Sequence, residues 1–292
     1  MDYHPLSAIG NTPLVEVPLA GAPEECHFFA KLEFFNLTGS LKDRMVRYMI
    51  EKAEASGRLK PGQVLVEATS GNTGIALAAI GRLKGYPVKI AMPENMSIER
   101  RRILAALGAE LVLTAAQAGS DGAIERAHEL ARESGHYLLG QFENPDNVLA
   151  HYETTAAEIL RQMPDIDTFI TGIGTGGTLT GVARRLREQR PEVKIVGIEP
   201  RPGSLIQGLR CLSSAVPPIL DLSLLDERPT VEDEDAFHST RDLASDCGLF
   251  VGISSGAVMF EAHRQAQKGR RCIVGIFADD GSKYLSTGVF GS

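Results

Sequence analysis

Apolar and polar positions alternate along this chain in two rhythms. Short apolar runs recur at 63–68 (QVLVEA), 87–92 (PVKIAM), 110–114 (ELVLT), 167–172 (DTFITG), 193–199 (VKIVGIE) and 271–277 (RCIVGIF). Several of these runs are apolar on both faces, which predicts strands of a parallel sheet covered on both sides. Between them, apolar positions recur at helical spacing over 40–56, 73–84, 97–107 and 119–133, and again over 151–163, 177–190, 235–247 and 255–267. Repeated β-α-β order predicts a doubly wound α/β sheet with right-handed crossovers. Ligands of such sheets sit where strand runs into helix, at the carboxyl ends of the strands. Residues 200–234 break the rhythm with five prolines and no period, which predicts a functional or interface loop.

Composition narrows the class of protein. The 292 residues, 43% hydrophobic and 23% charged, are ordinary for a water-soluble globular enzyme of one large domain or two intimate ones. A net charge of −7 argues against nucleic acid or an anionic membrane surface as the partner. No apolar run reaches membrane-spanning length, and MDYHPLSAIGNTPL lacks the basic-then-apolar pattern of a secretory leader, so a cytoplasmic location is expected. Cys26, Cys211, Cys247 and Cys272 are scattered without a C-x-x-C pair, which predicts reduced, packed thiols and no zinc site.

Four turns carry chemistry. TGIGTGGTLTG (171–181) follows a predicted strand and opens a predicted helix. Gly172-x-Gly174-x-x-Gly177, with Glu199 ending the next strand, has the spacing of a dinucleotide site. Gly174-Thr175-Gly176-Gly177-Thr178 is equally a cup of amides and hydroxyls for one terminal phosphate at a helix N-terminus. In NLTGSLKDRM (36–45), Ser40 is placed to cap a helix whose first turn holds Lys42 and Asp43. The helix dipole disfavours a cation there, so Lys42 is either a solvated surface lysine or one whose pKa is depressed for Schiff-base chemistry. In EATSGNTGIALA (67–78), the hydroxyls, amide and N–H groups of Thr69 to Gly74 converge at another helix start and are suited to a carboxylate. In GLFVGISSGAVM (248–259), Ser254 and Ser255 either cap a helix or turn a hydroxyl toward a ring nitrogen.

Taken together these segments resemble the fold-type II pyridoxal-phosphate enzymes, and within them the cysteine synthase (O-acetylserine sulfhydrylase) family. IGNTPLV (9–15), KLEFFNLTGSLKDR (31–44), EATSGNTGIALA, MPENMSIERR (92–101), QFENPDN (141–147), GTGGT, GISSG and YLSTGVF (284–290) stand in the family's order and spacing. ENMSIERR and YLSTGVF are most similar to the cysteine synthase B branch. The resemblance implies two doubly wound open sheets, a larger domain of 1–34 with 147–292 and a smaller mobile domain of 35–146.

The resemblance also assigns roles. Lys42 would hold pyridoxal phosphate as a Schiff base and take the substrate's α-proton, Asn72 would bond the ring hydroxyl, and Gly174, Thr175, Gly176, Gly177 and Thr178 would cradle the phosphate. Ser254 would meet the pyridine nitrogen, where a neutral hydroxyl leaves a milder electron sink suited to β-elimination. Thr69, Ser70, Gly71, Thr73 and Gln141 would bind the substrate, its carboxylate above all. Arg210 and Asp279 are expected beside them, where relatives differ in leaving group and donor. The implied reaction is a β-replacement: O-acetylserine loses acetate to give α-aminoacrylate, and a sulfur nucleophile, sulfide or thiosulfate, adds at Cβ. O-Phosphoserine sulfhydrylase and cystathionine β-synthase chemistry are the neighbouring alternatives. Implied partners are a second copy in a homodimer, and serine acetyltransferase or a sulfur-carrier protein with a thiocarboxylate. A nicotinamide oxidoreductase is the competing class, and it leaves Lys42, Asn72 and Ser254 without a common purpose.

Overall fold

The computed structural model describes residues 4–69, 71–95, 98–213 and 215–291. In chain order the strands are β1 (Leu14–Glu16), β2 (His27–Leu32), β3 (Val64–Ala68), β4 (Val88–Pro93) and β5 (Glu110–Thr114), then β6 (His136–Leu138), β7 (Thr168–Gly172), β8 (Lys194–Pro200), β9 (Thr230–Val231) and β10 (Cys272–Phe277). The helices are α1 (Lys42–Ala55), α2 (Asn72–Leu83), α3 (Ile98–Ala106), α4 (Gly119–Ala131) and α5 (Asp146–Ala150), followed by α6 (Ala156–Gln162), α7 (Gly177–Gln189), α8 (Asp233–Ser245) and α9 (Ile253–Gln267).

The strands form two sheets. One has the order β1-β2-β10-β7-β8-β9, parallel except for β1, and the other is all-parallel with the order β5-β4-β3-β6. Side chains alternate across each sheet, so both faces are buried. In the larger sheet, Phe28, Ile170 and Ile273 enter one core with α8 and α9, while Phe169, Val274 and Ile276 enter another with α6 and α7. In the smaller sheet, Leu65 and Ile90 pack toward α1 and α2, and Val66 and Ala91 toward α4. Each fully buried Leu or Ile contributes roughly 1.5–3 kcal/mol, so these packed layers hold the sheets that position the loops.

The six strands and eight helices expected from periodicity are present with ends shifted by a few residues. The helix expected at 151–163 starts earlier, at Asp146, and passes through a π-helical turn at His151–Thr155 before becoming α6. Among its described residues, the loop expected at 200–234 is irregular from Arg201 to Pro229, apart from a 3-10 turn at Leu222–Leu224 and an isolated bridge from Glu227 to Val196. No described helix is long and apolar enough to cross a membrane. Among the described residues no disulfide is formed, and no cluster of His, Cys, Asp or Glu has the makings of a metal site.

Candidate active site

The loops at the carboxyl ends of β3, β7 and β10 face one another across the two sheets. Lys42, the first residue of α1, stands where they meet. Ser40 Oγ accepts from Lys42 N at 3.3 Å, as a capping hydroxyl does, and Asp43 accepts from Thr38 N at 2.6 Å to fix the preceding turn. Among the described residues, the Lys42 ammonium has no hydrogen-bond partner and no carboxylate within 4 Å. Burial pushes its pKa down and the Lys283 charge adds to that, while Asp279 opposes it. Such an amine is closer to its neutral, nucleophilic form than a surface lysine is.

Two cavities open on either side of this lysine. The inner one, about 50 Å³, is lined by Lys42, Asn72, Gly174, Thr175, Gly176 and Thr178, with Ser254 and Asp279 opposite. The outer one, about 220 Å³, is lined by Lys42, Thr69, Gly71, Asn72, Thr73 and Gln141, together with Arg100, Arg210 and Tyr284. The structure thus gathers residues from seven distant segments around one amine.

In the inner cavity, the chain between β7 and α7 runs too close to its neighbours for side chains. A Cβ would lie 2.7 Å from Gly208 O at Gly174, 2.6 Å from Leu220 Cβ at Gly176 and 2.1 Å from Asn147 Oδ1 at Gly177. Gly176 also has φ +90°, a conformation that favours glycine. The result is bare backbone N–H groups at the positive end of α7. Thr178 Oγ1 meets His151 Nε2 at 3.2 Å, and His151 Nδ1 meets Thr155 Oγ1 at 2.9 Å. Burial, then the charges of Lys42 and Arg44, hold the His151 pKa well below its usual value, so the ring is neutral. Asn147 donates to Thr175 Oγ1 at 3.1 Å, and its own Oδ1 is buried without a partner. Gly177 lines neither cavity; it packs behind the loop against that amide.

In the outer cavity, Thr73 Oγ1 donates to Gln141 Oε1 at 2.7 Å, and Gln141 Nε2 donates to Ala68 O at 3.3 Å. Ser70, expected in the same loop, lies outside the described residues. Glu67 holds this wall from behind, accepting from Ala68 N at 2.9 Å and Gln141 N at 3.1 Å. Burial pushes its carboxyl up to about 7 against those hydrogen bonds. The Arg210 guanidinium lies 4.6 Å from the centre of the Phe142 ring. Arg100 donates to Gln207 at 2.6 Å and lies over the Tyr284 ring.

Asp279, grouped by sequence with the substrate residues, lines the inner cavity, where its carboxylate accepts from Asn72 Nδ2 at 2.7 Å. Glu199, which made a dinucleotide reading possible, is taken up by the 200–234 loop: Leu212 N donates to it at 3.2 Å and Arg228 approaches at 3.4 Å. Arg100, Tyr284, Glu67 and Asn147 were not singled out from sequence. A carboxylate closing an otherwise apolar strand was the one available signal, and it belonged to Glu67.

A model of the pyridoxal-phosphate dependent enzyme family matches residues 6–278. The chain belongs to this family. Fold-type II architecture, with its two open and mostly parallel sheets, and pyridoxal phosphate as the cofactor follow from that membership. Cysteine synthase B of Escherichia coli (strain K12) is 48% identical over 286 residues, covering 97% of this chain and 94% of the relative. The crystal structure of an O-ureido-L-serine synthase superposes with a TM-score of 0.95 at 40% identity, covering 99% of this chain and 95% of that one. That of a cysteine synthase from Entamoeba histolytica gives 0.94 at 35% identity, covering 99% and 91%.

The residues of this pyridoxal-phosphate enzyme fit the cofactor on their own chemistry. Bare glycine N–H groups at a helix N-terminus, flanked by the Thr175 and Thr178 hydroxyls, suit a phosphate dianion, and the depressed amine of Lys42 suits an aldehyde. Asn72 and Ser254 add an amide and a hydroxyl to the lining of the same cavity, the polar groups that a substituted pyridine ring calls for.

Proposed function

We propose that this chain is a cysteine synthase, which replaces the β-acetoxy group of O-acetylserine with sulfur to give cysteine and acetate. One observation carries the reading: Lys42 lines both the cavity at the start of α7, suited to a phosphate, and the cavity at the start of α2, suited to a carboxylate. The 48% identity to the Escherichia coli cysteine synthase B over nearly the whole chain supports it.

In this reading the backbone of Gly174 to Gly177, with Thr175 and Thr178, holds the phosphate at the start of α7. Asn72 meets the ring oxygen and Ser254 the ring nitrogen. When bound, pyridoxal phosphate supplies an electron sink for negative charge at the substrate's α-carbon. Thr69, Ser70, Gly71, Thr73 and Gln141 orient the α-carboxylate, so that the α-hydrogen faces Lys42 Nζ. The neutral Lys42 amine takes that proton, and the acetate leaves toward the outer cavity. Glu67 keeps the Gln141 backbone in place for this step. Residues 35–146 would close over the substrate as a unit, excluding water.

A second reading of the substrate pair rests on charge. Lys42, Arg100 and Arg210 line the outer cavity, and no carboxylate does among the described residues. Such a cavity suits a sulfonate or phosphoryl group as well as acetate, so thiosulfate as donor or O-phosphoserine as substrate is accommodated. The carboxylate loop would also admit the C-terminus of a peptide, the mode by which serine acetyltransferase or a sulfur-carrier protein would dock.

Assaying O-acetylserine and O-phosphoserine with sulfide and with thiosulfate separates these readings. Turnover of O-acetylserine with sulfide is expected. Arg210→Ala or Arg100→Ala is expected to lower kcat/KM for the oxyanion-bearing partner by about 10–100-fold, the worth of a charge-assisted hydrogen bond, and to leave sulfide use within about threefold. No cysteine from any pair contradicts the function; an equal loss with every pair contradicts the role of the arginines.

A further inference from the structure

Asp279 is a buried carboxylate for which the assignments above leave no task. It follows β10, and its main chain is gripped from two sides. Leu41 N donates to Ala278 O at 2.9 Å, Gly252 N donates to Asp279 O at 3.0 Å, and Ser40 pairs with Asp279 in an isolated antiparallel bridge. The residue is 1% exposed. Asn72 Nδ2 donates to its Oδ2 at 2.7 Å, and the Tyr284 hydroxyl donates to the same oxygen at 2.7 Å. The other oxygen, Oδ1, is fitted against Gly252, where a Cβ would lie 2.0 Å away. Both the space and the hydrogen bonds are therefore arranged around this one carboxylate.

Asn72 opens α2 beside the smaller sheet, 207 residues away in sequence from Asp279 at the end of β10. A side-chain amide presents either a donor or an acceptor to its surroundings, according to which way it is flipped. An ionised carboxylate only accepts. It therefore draws the nitrogen of Asn72 to itself and takes one of its two N–H groups. We propose that Asp279 is a positioning residue: it fixes the amide of Asn72 so that the remaining N–H always faces the ring oxygen of the bound cofactor. Tyr284, donating to the same Oδ2, keeps the carboxylate in that orientation. Burial raises the Asp279 carboxyl, whereas Lys283 and the Asn72 and Tyr284 hydrogen bonds favour its charged form. This inference rests on the reading that Asn72 contacts the cofactor.

The test uses the holoenzyme and the apoprotein reconstituted with pyridoxal phosphate. Cofactor dissociation constants and visible absorption maxima are compared for the native chain, Asn72→Ala, Asp279→Asn and the double variant. Asp279→Asn keeps the shape but lets the Asn72 amide flip. It is expected to weaken cofactor binding about tenfold and to shift the visible band, with the melting temperature of the apoprotein unchanged. On top of Asn72→Ala it is expected to have no further effect, because the group it positions is gone. An unaltered Asp279→Asn beside an affected Asn72→Ala overturns the inference alone, as does a full tenfold loss in both backgrounds. An unaltered Asn72→Ala overturns the assignment of Asn72 and this inference with it. Should Asp279→Asn not fold, Tyr284→Phe serves: a loss of about threefold in the native background and none with Asn72→Ala supports the inference, and equal losses overturn it.

Discussion

Replacing Lys42 by alanine is expected to reduce cysteine formation by about 10⁴-fold or more, because one side chain both anchors the cofactor and moves the proton. The residue opens α1 and lines both cavities, so no packed core depends on it. Its thermal unfolding midpoint should therefore stay within a few degrees of the native chain. Lys42→Arg should not rescue turnover, since a guanidinium stays protonated and forms no Schiff base. The amine works as a base only when neutral, so activity should rise with pH as Lys42 deprotonates. Burial and Lys283 lower its pKa, which moves that rise below the range of an ordinary lysine. Steady-state rates with O-acetylserine and sulfide across pH check both statements. A Lys42→Ala enzyme within tenfold of native rate would contradict them.

The largest expected effect on stability belongs to Arg44, two residues further along α1. Its guanidinium meets Glu33 Oε2 at 2.6 Å and Glu158 Oε1 at 2.7 Å, and Lys31 Nζ meets Glu158 Oε2 at 2.7 Å. Thr12 Oγ1 donates to Glu33 Oε1 at 2.8 Å. The cluster ties β2, α1 and α6 together, and so fixes the helix that carries Lys42. Arg44→Leu leaves two buried carboxylates with one ammonium between them, and about 3–5 kcal/mol of stability should be lost. Acid should act on the same cluster. Burial alone would raise the Glu158 carboxyl, but Arg44 and then Lys31 hold it down at about 2. Its folded pKa lies below its unfolded value of about 4.3, so its contribution is complete above that pH and lost as pH falls toward about 2. Urea midpoints measured from pH 6 to pH 2 should fall steeply for the native chain and more gently for Arg44→Leu. Parallel curves would mean that Glu158 is not stabilised by Arg44.

How much of this was legible in the sequence depends on the range of the interaction. Periodicity located the strands and helices that bury a continuous face, since burial is what writes the pattern. It missed β2 because HFFAKL carries Lys31 at a buried position, where it pairs with the distant Glu158. It missed β1, β6 and β9 because runs of two or three residues hold no period. Lys42, Asn72, Ser254 and the Gly174–Thr178 turn were legible because each sits at a helix start, where local chemistry shows in the residues themselves. Asp279 was named only through the family resemblance, and Arg100 and Asn147 not at all, since their surroundings are built from segments far along the chain. The 2.7 Å bond between Asn72 and Asp279 is of that kind: neither residue alone announces it.

The central claim is that Lys42 is the amine that holds pyridoxal phosphate. Borohydride reduction of the holoenzyme, followed by proteolysis and mass spectrometry, tests it most directly. The pyridoxyl group should be found on the peptide carrying Lys42 and on no other lysine, and its yield should fall to background in Lys42→Ala. Label on Lys31 or Lys283, or no stoichiometric label in a protein shown to bind the cofactor, would contradict the account.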